Sequence, residues 1–133
     1  MLKDIVGTFI NSSSGNDSSG VRDFFEGAGV LSTSVGQSGN SSSITVPSGI
    51  TKGILFICAS GWRTQSDLYS VSGSGIISST MLSSDSGWVN NSATHVMYEM
   101  DYVTLSPGQA ITLSTPTQSG YPSYPCARMV LYY

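Results

Sequence analysis

The residues best suited to chemistry lie in one alternating segment, THVMYEMDYVTL, at residues 94–105. Glu99 and Asp101 are two positions apart, so an extended strand places both carboxylates on one face, as an acid–base pair or a site for a hard cation. Because both are charged, we expect them instead to be solvated, limiting edge pairing or lining a seam between subunits. His95, the single histidine, shares this face and is expected to be structural or superficial.

The opposite face of this segment is uncharged and is therefore the expected core face. Its members are Val96, Tyr98, Met100, Tyr102 and Thr104. With one histidine, one close acidic pair and no G-x-S-x-G elbow, the chain has little material for a nucleophilic triad. We expect no enzyme activity, no catalytic residues, no metal site and no cofactor.

A second set of side chains suits sugar binding. Flat aromatic rings stack on the apolar faces of sugars, while nearby amides and carboxylates bond their hydroxyls. The candidate glycan contacts are Trp62, Trp88, Asn90, Tyr121 and Tyr124. Loop aromatics also plug the ends of a sandwich core or fill an oligomer interface, and that alternative is favoured.

Composition limits the classes of partner. Charged residues make up only 10% of the 133-residue chain, against roughly a quarter in an average domain. Its surface must therefore be largely hydroxyl, amide and glycine. The net charge is −3 and the five cations are scattered, which argues against a nucleic-acid partner. We see no signal peptide and no membrane span, and hence expect no membrane partner.

The two cysteines, Cys58 and Cys126, lie in or beside apolar strand segments. We expect both to be reduced and buried as small hydrophobes, with a disulfide between two strands as the alternative.

The elements that must position these groups are strands. The longest uncharged apolar run covers residues 53–59, and we expect it to be the central strand of a β-sheet. Further strands are expected at 30–35, 44–46, 67–71, 75–78, 94–105, 110–114 and 127–133, with only a fragment at 88–89. Residues 106–109 read Ser-Pro-Gly-Gln, a type II turn that should join 94–105 and 110–114 as a hairpin.

The N-terminal residues have a different character. Residues 11–20 are a Ser/Gly linker by composition, and residues 1–20 are taken as an anchoring arm ahead of a sandwich domain at 21–133. The apolar residues of the arm follow a helical spacing that suits a short docking peg, although an extended arm is equally compatible. These candidate particle-docking residues are Leu2, Ile5, Val6, Phe9 and Ile10.

Three stretches carry a resemblance: VPSGITKGILFICASG at 46–61, YVTLSPGQAITLS at 102–114 and ARMVLYY at 127–133. Together they resemble the β-sandwich domains at the ends of bacteriophage tail fibres and other virion appendages. The middle stretch is also similar to the penultimate turn of tumour-necrosis-factor-type jelly rolls, which are trimers. The resemblance implies an all-β, antiparallel, jelly-roll-like sandwich in a homo-oligomer, with a trimer favoured.

The resulting functional expectation is a non-enzymatic phage virion protein: a capsid decoration protein, head fibre or tail-fibre component. Its arm would dock to other capsid or tail proteins, and the sandwich would be displayed on a virion assembled in the host cytoplasm. The alternative is a lectin-like module that contacts host surface glycans. The apolar run at 53–59 has large side chains on both faces, which favours an oligomer or a covering segment.

Overall fold

The computed structural model describes residues 25–36, 39–62, 68–89, 94–117 and 125–133. These ranges contain eight β-strands and no helix, and thus no helix with the length and apolar character to cross a bilayer. The candidate arm at 1–20 lies outside them. The strands are β1 Val30–Val35, β2 Ser41–Thr45, β3 Lys52–Gly61, β4 Ser70–Ser72, β5 Ile76–Val89, β6 Thr94–Leu105, β7 Ala110–Ser114 and β8 Cys126–Tyr132.

The strands form two packed antiparallel sheets, which confirms the predicted sandwich. The large sheet has the order β1-β8-β3-β6-β5 and the small sheet the order β2-β7-β4. The pairings of β1 with β8, β2 with β7 and β3 with β6 are nested one inside the next. This is a long hairpin rolled across two sheets, the arrangement of a jelly roll. The innermost pair, β4 with β5, is not formed among the described residues, and β5 extends the large sheet beside β6.

The central-strand prediction is confirmed by β3, which pairs with β6 on one side and β8 on the other. Its inner face carries Leu55, Ile57 and Ala59, at 1%, 2% and 7% exposed. Opposite them, the small sheet contributes Ile111 and Leu113, both fully buried. Burial of each large side chain contributes about 1.5–3 kcal/mol, so the two inner faces hold the sandwich together.

The turn at residues 106–109 is confirmed, but the hairpin expected from it is wrong. Gln109 N–H bonds the Ser106 carbonyl at 3.2 Å, and Gly108 has the positive φ of 78° that such a turn requires. The flanking strands, however, lie in different sheets: β6 pairs with β3 and β5, and β7 pairs with β2 and β4. The turn therefore crosses between the two layers of the sandwich.

The prediction for residues 75–89 is also wrong, because β5 is one continuous strand rather than two short pieces. It follows β6 along its whole length, with irregularities in register between Ile76 and Ser78 and between Met81 and Ser83. Its serines and its glycine hide the strand pattern in the sequence. Pairing with the long β6 stabilises the extended conformation that local propensity does not predict.

The beginning of β1 is held against the end of the chain. Gly29 and Tyr133 exchange two backbone hydrogen bonds, at 2.7 and 3.0 Å. The Glu26 carboxylate accepts from Thr51, from its backbone N–H at 2.6 Å and from its hydroxyl at 2.7 Å. These bonds lower the pKa of Glu26, the backbone bond having the largest effect. They connect the segment that leads into β1 with the turn that precedes β3.

Candidate functional site

The acidic residues of β6 face the inside of the sandwich, contrary to the expectation of a solvated charged face. Val103 and Leu105, on the same face, are 0% and 1% exposed, and His95 and Asp101 are each 6% exposed. The predicted core face is wrong, since it is the outer face of the large sheet. On this outer face Val96 is 36% and Met100 only 6% exposed, so alternation of charge did not distinguish core from surface.

Asp101 and Glu99 form a carboxylate pair with separate hydroxyl donors. Ser79 Oγ on β5 donates to Asp101 Oδ2 at 3.0 Å, and the Tyr69 hydroxyl, just ahead of β4, donates to Glu99 Oε2 at 2.9 Å. Asp101 Oδ1 is buried and has no hydrogen-bond donor among the described residues. The pair is therefore bonded to β5 of its own sheet and to the residue ahead of β4 of the other sheet, while Oδ1 of Asp101 has no described donor.

The environment shifts the ionisation of this pair. Burial is the main cause that raises the pKa of Asp101 to about 6, and adjacent Glu99 raises it further by hydrogen bonding and by its charge. Donation from Ser79 acts in the opposite direction. Burial, and then the bond to Glu99, also raises the pKa of Tyr69 well above its ordinary value, so Tyr69 remains a donor. Asp101 therefore takes up a proton in mild acid, as the pH falls through about 6.

These groups line a cavity of about 360 Å³ where the edges of the two sheets separate. The cavity exists because β4 and β5 diverge instead of pairing, which leaves the inner faces of β5 and β6 uncovered there. Its apolar walls are Leu55, Ile57, Val71 and Ile76, and its polar side chains are Tyr69, Ser72, Ser79, Glu99 and Asp101. The sequence predicted the two carboxylates as a pair. Tyr69 and Ser79 belong to no recognisable motif, and only the fold places them beside that pair.

The side chains around Glu99 and Asp101 do not favour the alternative that this pair binds a hard cation. Within the described ranges, no group of three histidine, cysteine or acidic side chains is placed to bind a metal ion. The described cations also lie elsewhere, since Lys52 is paired with Thr104 and Arg128 with Cys58 on the outer side of the large sheet. The negative charge of Glu99 and Asp101 thus has no ion-pair partner among the described side chains that line the cavity.

His95 belongs to a separate contact at the other end of β6. Its ring packs on Trp88 with centroids 4.8 Å apart and an angle of 49° between the rings. This contact suits a structural histidine, as expected. Trp88 lies near the end of β5, where a strand fragment was predicted, and 48% of it is exposed.

The glycan candidates are only partly described. Gly61 on β3 and Trp88 on β5 both lie opposite His95 on β6, so Trp62 and Trp88 are at the same end of the large sheet. Asn90, Tyr121 and Tyr124 lie outside the described residues.

The outer faces of the two sheets differ sharply in chemistry. The outer face of the small sheet is almost entirely hydroxyl: Ser41, Ser43, Thr45, Ser70, Ser72, Thr112 and Ser114, with Ala110. The outer face of the large sheet carries Lys52, Arg128 and several serines and threonines, but it is also rich in aromatic and aliphatic side chains: Val30, Ile54, Phe56, Val96, Tyr98, Met100, Tyr102, Val130 and Tyr132. Phe56 and Tyr98 stack there with centroids 5.9 Å apart. The hydroxyl surface predicted from composition thus covers the small sheet almost completely but only part of the large sheet.

The cysteines lie on this same outer face and are both free, as predicted. Cys58 is half-buried, but Cys126 is exposed rather than buried, because it begins β8 at the end of the sheet. Cys126 Sγ lies 3.1 Å from the hydroxyl of Ser60, its partner on β3.

The remaining candidates, Leu2, Ile5, Val6, Phe9 and Ile10, lie outside the described residues. Comparison of the chain with known protein families, with curated proteins and with solved structures finds no match. The functional interpretation therefore depends on the two exposed surfaces and the cavity.

Proposed function

We propose that this chain is a non-enzymatic structural component of a virion, of the appendage or decoration class that its strand motifs resemble. In this proposal, the outer face of the large sheet and the free edge of β5 pack against a second copy of the chain. The N-terminal arm, through Leu2, Ile5, Val6, Phe9 and Ile10, attaches the oligomer to other capsid or tail proteins.

The contrast between the two outer faces is the observation that carries this proposal. The small sheet shows that the chain has hydroxyl residues available to cover a solvated face. The large sheet instead carries many aromatic and aliphatic side chains, of which Val30, Tyr132 and Val96 are 58%, 40% and 36% exposed, whereas Ile54 and Met100 are buried. Contiguous apolar surface of this kind is typical of an interface between protein chains.

The β5 edge provides a second reason. No described strand pairs with its outer side, which leaves a row of backbone donors and acceptors open along fourteen residues. Long apolar edges invite pairing with another chain unless charges or proline block them. The side chains of β5 include one charge, Asp85, and no proline, whereas its large exposed hydrophobics are Ile77, Met81, Leu82, Trp88 and Val89.

Sedimentation of charge-insertion variants tests the interface. The wild-type chain should sediment as a multiple of its 14.0 kDa mass. Ile77→Lys combined with Tyr132→Lys should shift it to the monomer, because a buried unpaired ammonium is costly. Ser43→Lys on the small sheet is the matched control and should retain the oligomer. A monomeric wild type would count against the proposal. So would an equal loss of the oligomer in the Ile77→Lys, Tyr132→Lys variant and in Ser43→Lys.

The arm requires a different test. Deletion of residues 1–12 should leave a folded sandwich that still self-associates but no longer joins particles. Normal incorporation of the truncated chain would show that the anchor lies elsewhere.

A lectin-like module is the second candidate, and the placement of Trp62 and Trp88 at one end of the sandwich favours it. Host surface glycans would then be the partner. A glycan array should show reproducible binding that Trp62→Ala and Trp88→Ala each abolish. Binding that survives both substitutions would remove the support for these two residues.

A further inference from the structure

We propose that the cavity between β4 and the β5–β6 part of the large sheet is a binding site for a primary ammonium group on an alkyl stem. The ligand class comprises n-alkylamines and lysine side chains. This site goes beyond the proposed assembly role and does not depend on it.

Asp101 provides the polar end of the site. It is 6% exposed and lines the cavity, and its buried Oδ1 has no donor among the described residues. Buried polar groups in folded proteins almost always have a partner. Protonated Asp101 can hydrogen-bond Glu99, but ionised Asp101 has no described donor for Oδ1, so the charged form lacks a partner. Glu99 lies beside it on the same strand face and brings a second negative charge.

The existing bonds fix this pair in place. The Ser79 hydroxyl donates to Oδ2 of Asp101, and the Tyr69 hydroxyl donates to Oε2 of Glu99. Each carboxylate is therefore oriented by a hydroxyl from a neighbouring element and still has acceptor capacity left. An ammonium group carries three donors and no acceptor, which suits two carboxylates that need donors alone.

The rest of the cavity suits an alkyl stem. Leu55 and Ile57 form its floor, and Val71 and Ile76 flank it. The volume of about 360 Å³ lies within the range of roughly 300–1,000 Å³ typical of small-molecule sites. A stem of several methylenes gains about 0.8 kcal/mol for each one buried, which favours an alkylamine over a bare inorganic cation.

The residues present fit this ligand better than a metal. Calcium needs six to eight oxygen ligands, whereas the side chains that line this cavity are two carboxylates and the hydroxyl residues Tyr69, Ser72 and Ser79. The hydroxyls of Tyr69 and Ser79 already donate to the carboxylates. The described cations, Lys52 and Arg128, do not line the cavity and so leave its charge uncompensated.

Calorimetric titration of the full chain with n-butylammonium chloride tests the site. At pH 8 the wild type should bind saturably, and Asp101→Asn and Glu99→Gln should each weaken binding at least tenfold. The neutral analogue n-butanol should bind at least tenfold more weakly than the amine. Circular dichroism of both variants verifies the fold, and Ser43→Ala on the outer face of the small sheet is the control with unchanged affinity.

The pH profile provides an independent measurement. The titratable groups that face the cavity are Asp101, Glu99 and Tyr69. Because the pKa of Asp101 is about 6, affinity should fall about tenfold between pH 8 and pH 5 as the competent fraction falls. Histidine also changes charge in this range, so the profile is repeated with His95→Gln and should persist.

Four outcomes would overturn the proposal. They are no saturable binding, equal affinity for n-butanol, unchanged affinity in Asp101→Asn, and a saturable response to calcium chloride with none to the amine. Arg63 is a cation of the chain outside the described residues. Amine binding seen only in Arg63→Ala would show that the pair already has a cation, and would also overturn it.

Discussion

The hydroxyl of Tyr69 donates to Oε2 of Glu99 at 2.9 Å and so joins the two sheets at the one place where the rolled hairpin is open. Tyr69 immediately precedes β4 at the edge of the small sheet, and Glu99 lies on β6 of the large sheet. The backbone pairing of β4 with β5 that would close this edge is absent from the described residues. The side-chain bond between Tyr69 and Glu99 connects the two sheets there instead, and the cavity lies beside this bond.

Substitution Tyr69→Phe should therefore destabilise the sandwich. It leaves the half-buried Glu99 carboxylate without its hydroxyl donor, at a cost of about 1–3 kcal/mol. Urea unfolding at pH 8 measures this change. Tyr132→Phe, at a ring that is 40% exposed, is the control and should be neutral; equal effects of both changes would show that the bond to Glu99 contributes nothing.

Asp101→Asn should stabilise the protein at pH 8 in the absence of ligand. The pKa of Asp101 is raised from 3.8 to about 6 on folding, so the native state binds more protons than the unfolded state between these values. Stability from this group is thus complete below about pH 4 and is lost as the pH rises through 6. Asparagine avoids that loss, which is of the order of 1–3 kcal/mol for a shift of this size.

The measurement is the free energy of unfolding in urea at pH 4, 6 and 8 for both proteins. The gain in Asp101→Asn should be largest at pH 8 and smallest at pH 4. Asp85→Asn, at an exposed position of β5, should show no such trend. A parallel pH dependence for wild type and Asp101→Asn would mean that Asp101 is not buried in its charged form.

Met81→Lys should act as a built-in ligand for the cavity. Met81 is 60% exposed and lies directly opposite Asp101 on β5, so a lysine there carries an alkylammonium within reach of the pair. We expect loss of n-butylammonium binding and higher stability at pH 8 than at pH 5. Ile77→Lys places the same charge elsewhere on β5 and should leave amine binding intact; equal loss in both variants would point to a nonspecific charge effect.

Gly29→Ala should destabilise the junction of β1 and β8. A Cβ at this position would overlap the ring of Tyr133, which packs directly on Gly29. Overpacking of this kind costs about 1–3 kcal/mol. Thermal unfolding should show a lower midpoint for Gly29→Ala but not for Gly36→Ala, where a Cβ meets nothing within 4 Å. Tyr133→Leu should reduce the effect, and failure to do so would place the strain elsewhere.

Several elements could be predicted because their local signals are strong. The apolar run at 53–59, the alternating segment at 94–105 and the terminal ARMVLYY are strands in the structure. The turn after Pro47 was also predictable, because Gly49 takes the positive φ that glycine allows. Each of these depends on residues that are neighbours in sequence.

The predictions from sequence were wrong where contacts between residues far apart in the sequence decide the local structure. Residues 79–87 are strand because β6 pairs with them, and β7 leaves its sequence neighbour β6 to join the small sheet. The buried position of Asp101 conflicts with its charge, and the sequence does not show the uncovered inner face that makes room for it. Local inconsistency of this kind is expected at functional sites.

Hydrogen exchange along β5 tests the central claim of self-association most directly. Apart from Ser86, whose N–H donates to Asp85 Oδ1 at 2.8 Å, the amides of Ile76–Val89 that do not bond β6 have no described partner within the chain, so a monomer must exchange them rapidly. If copies pair through this edge, these amides should become protected as protein concentration rises, together with those near Tyr132 on the outer face. Rapid exchange of the β5 edge at every concentration, with a constant 14.0 kDa mass, would contradict the account.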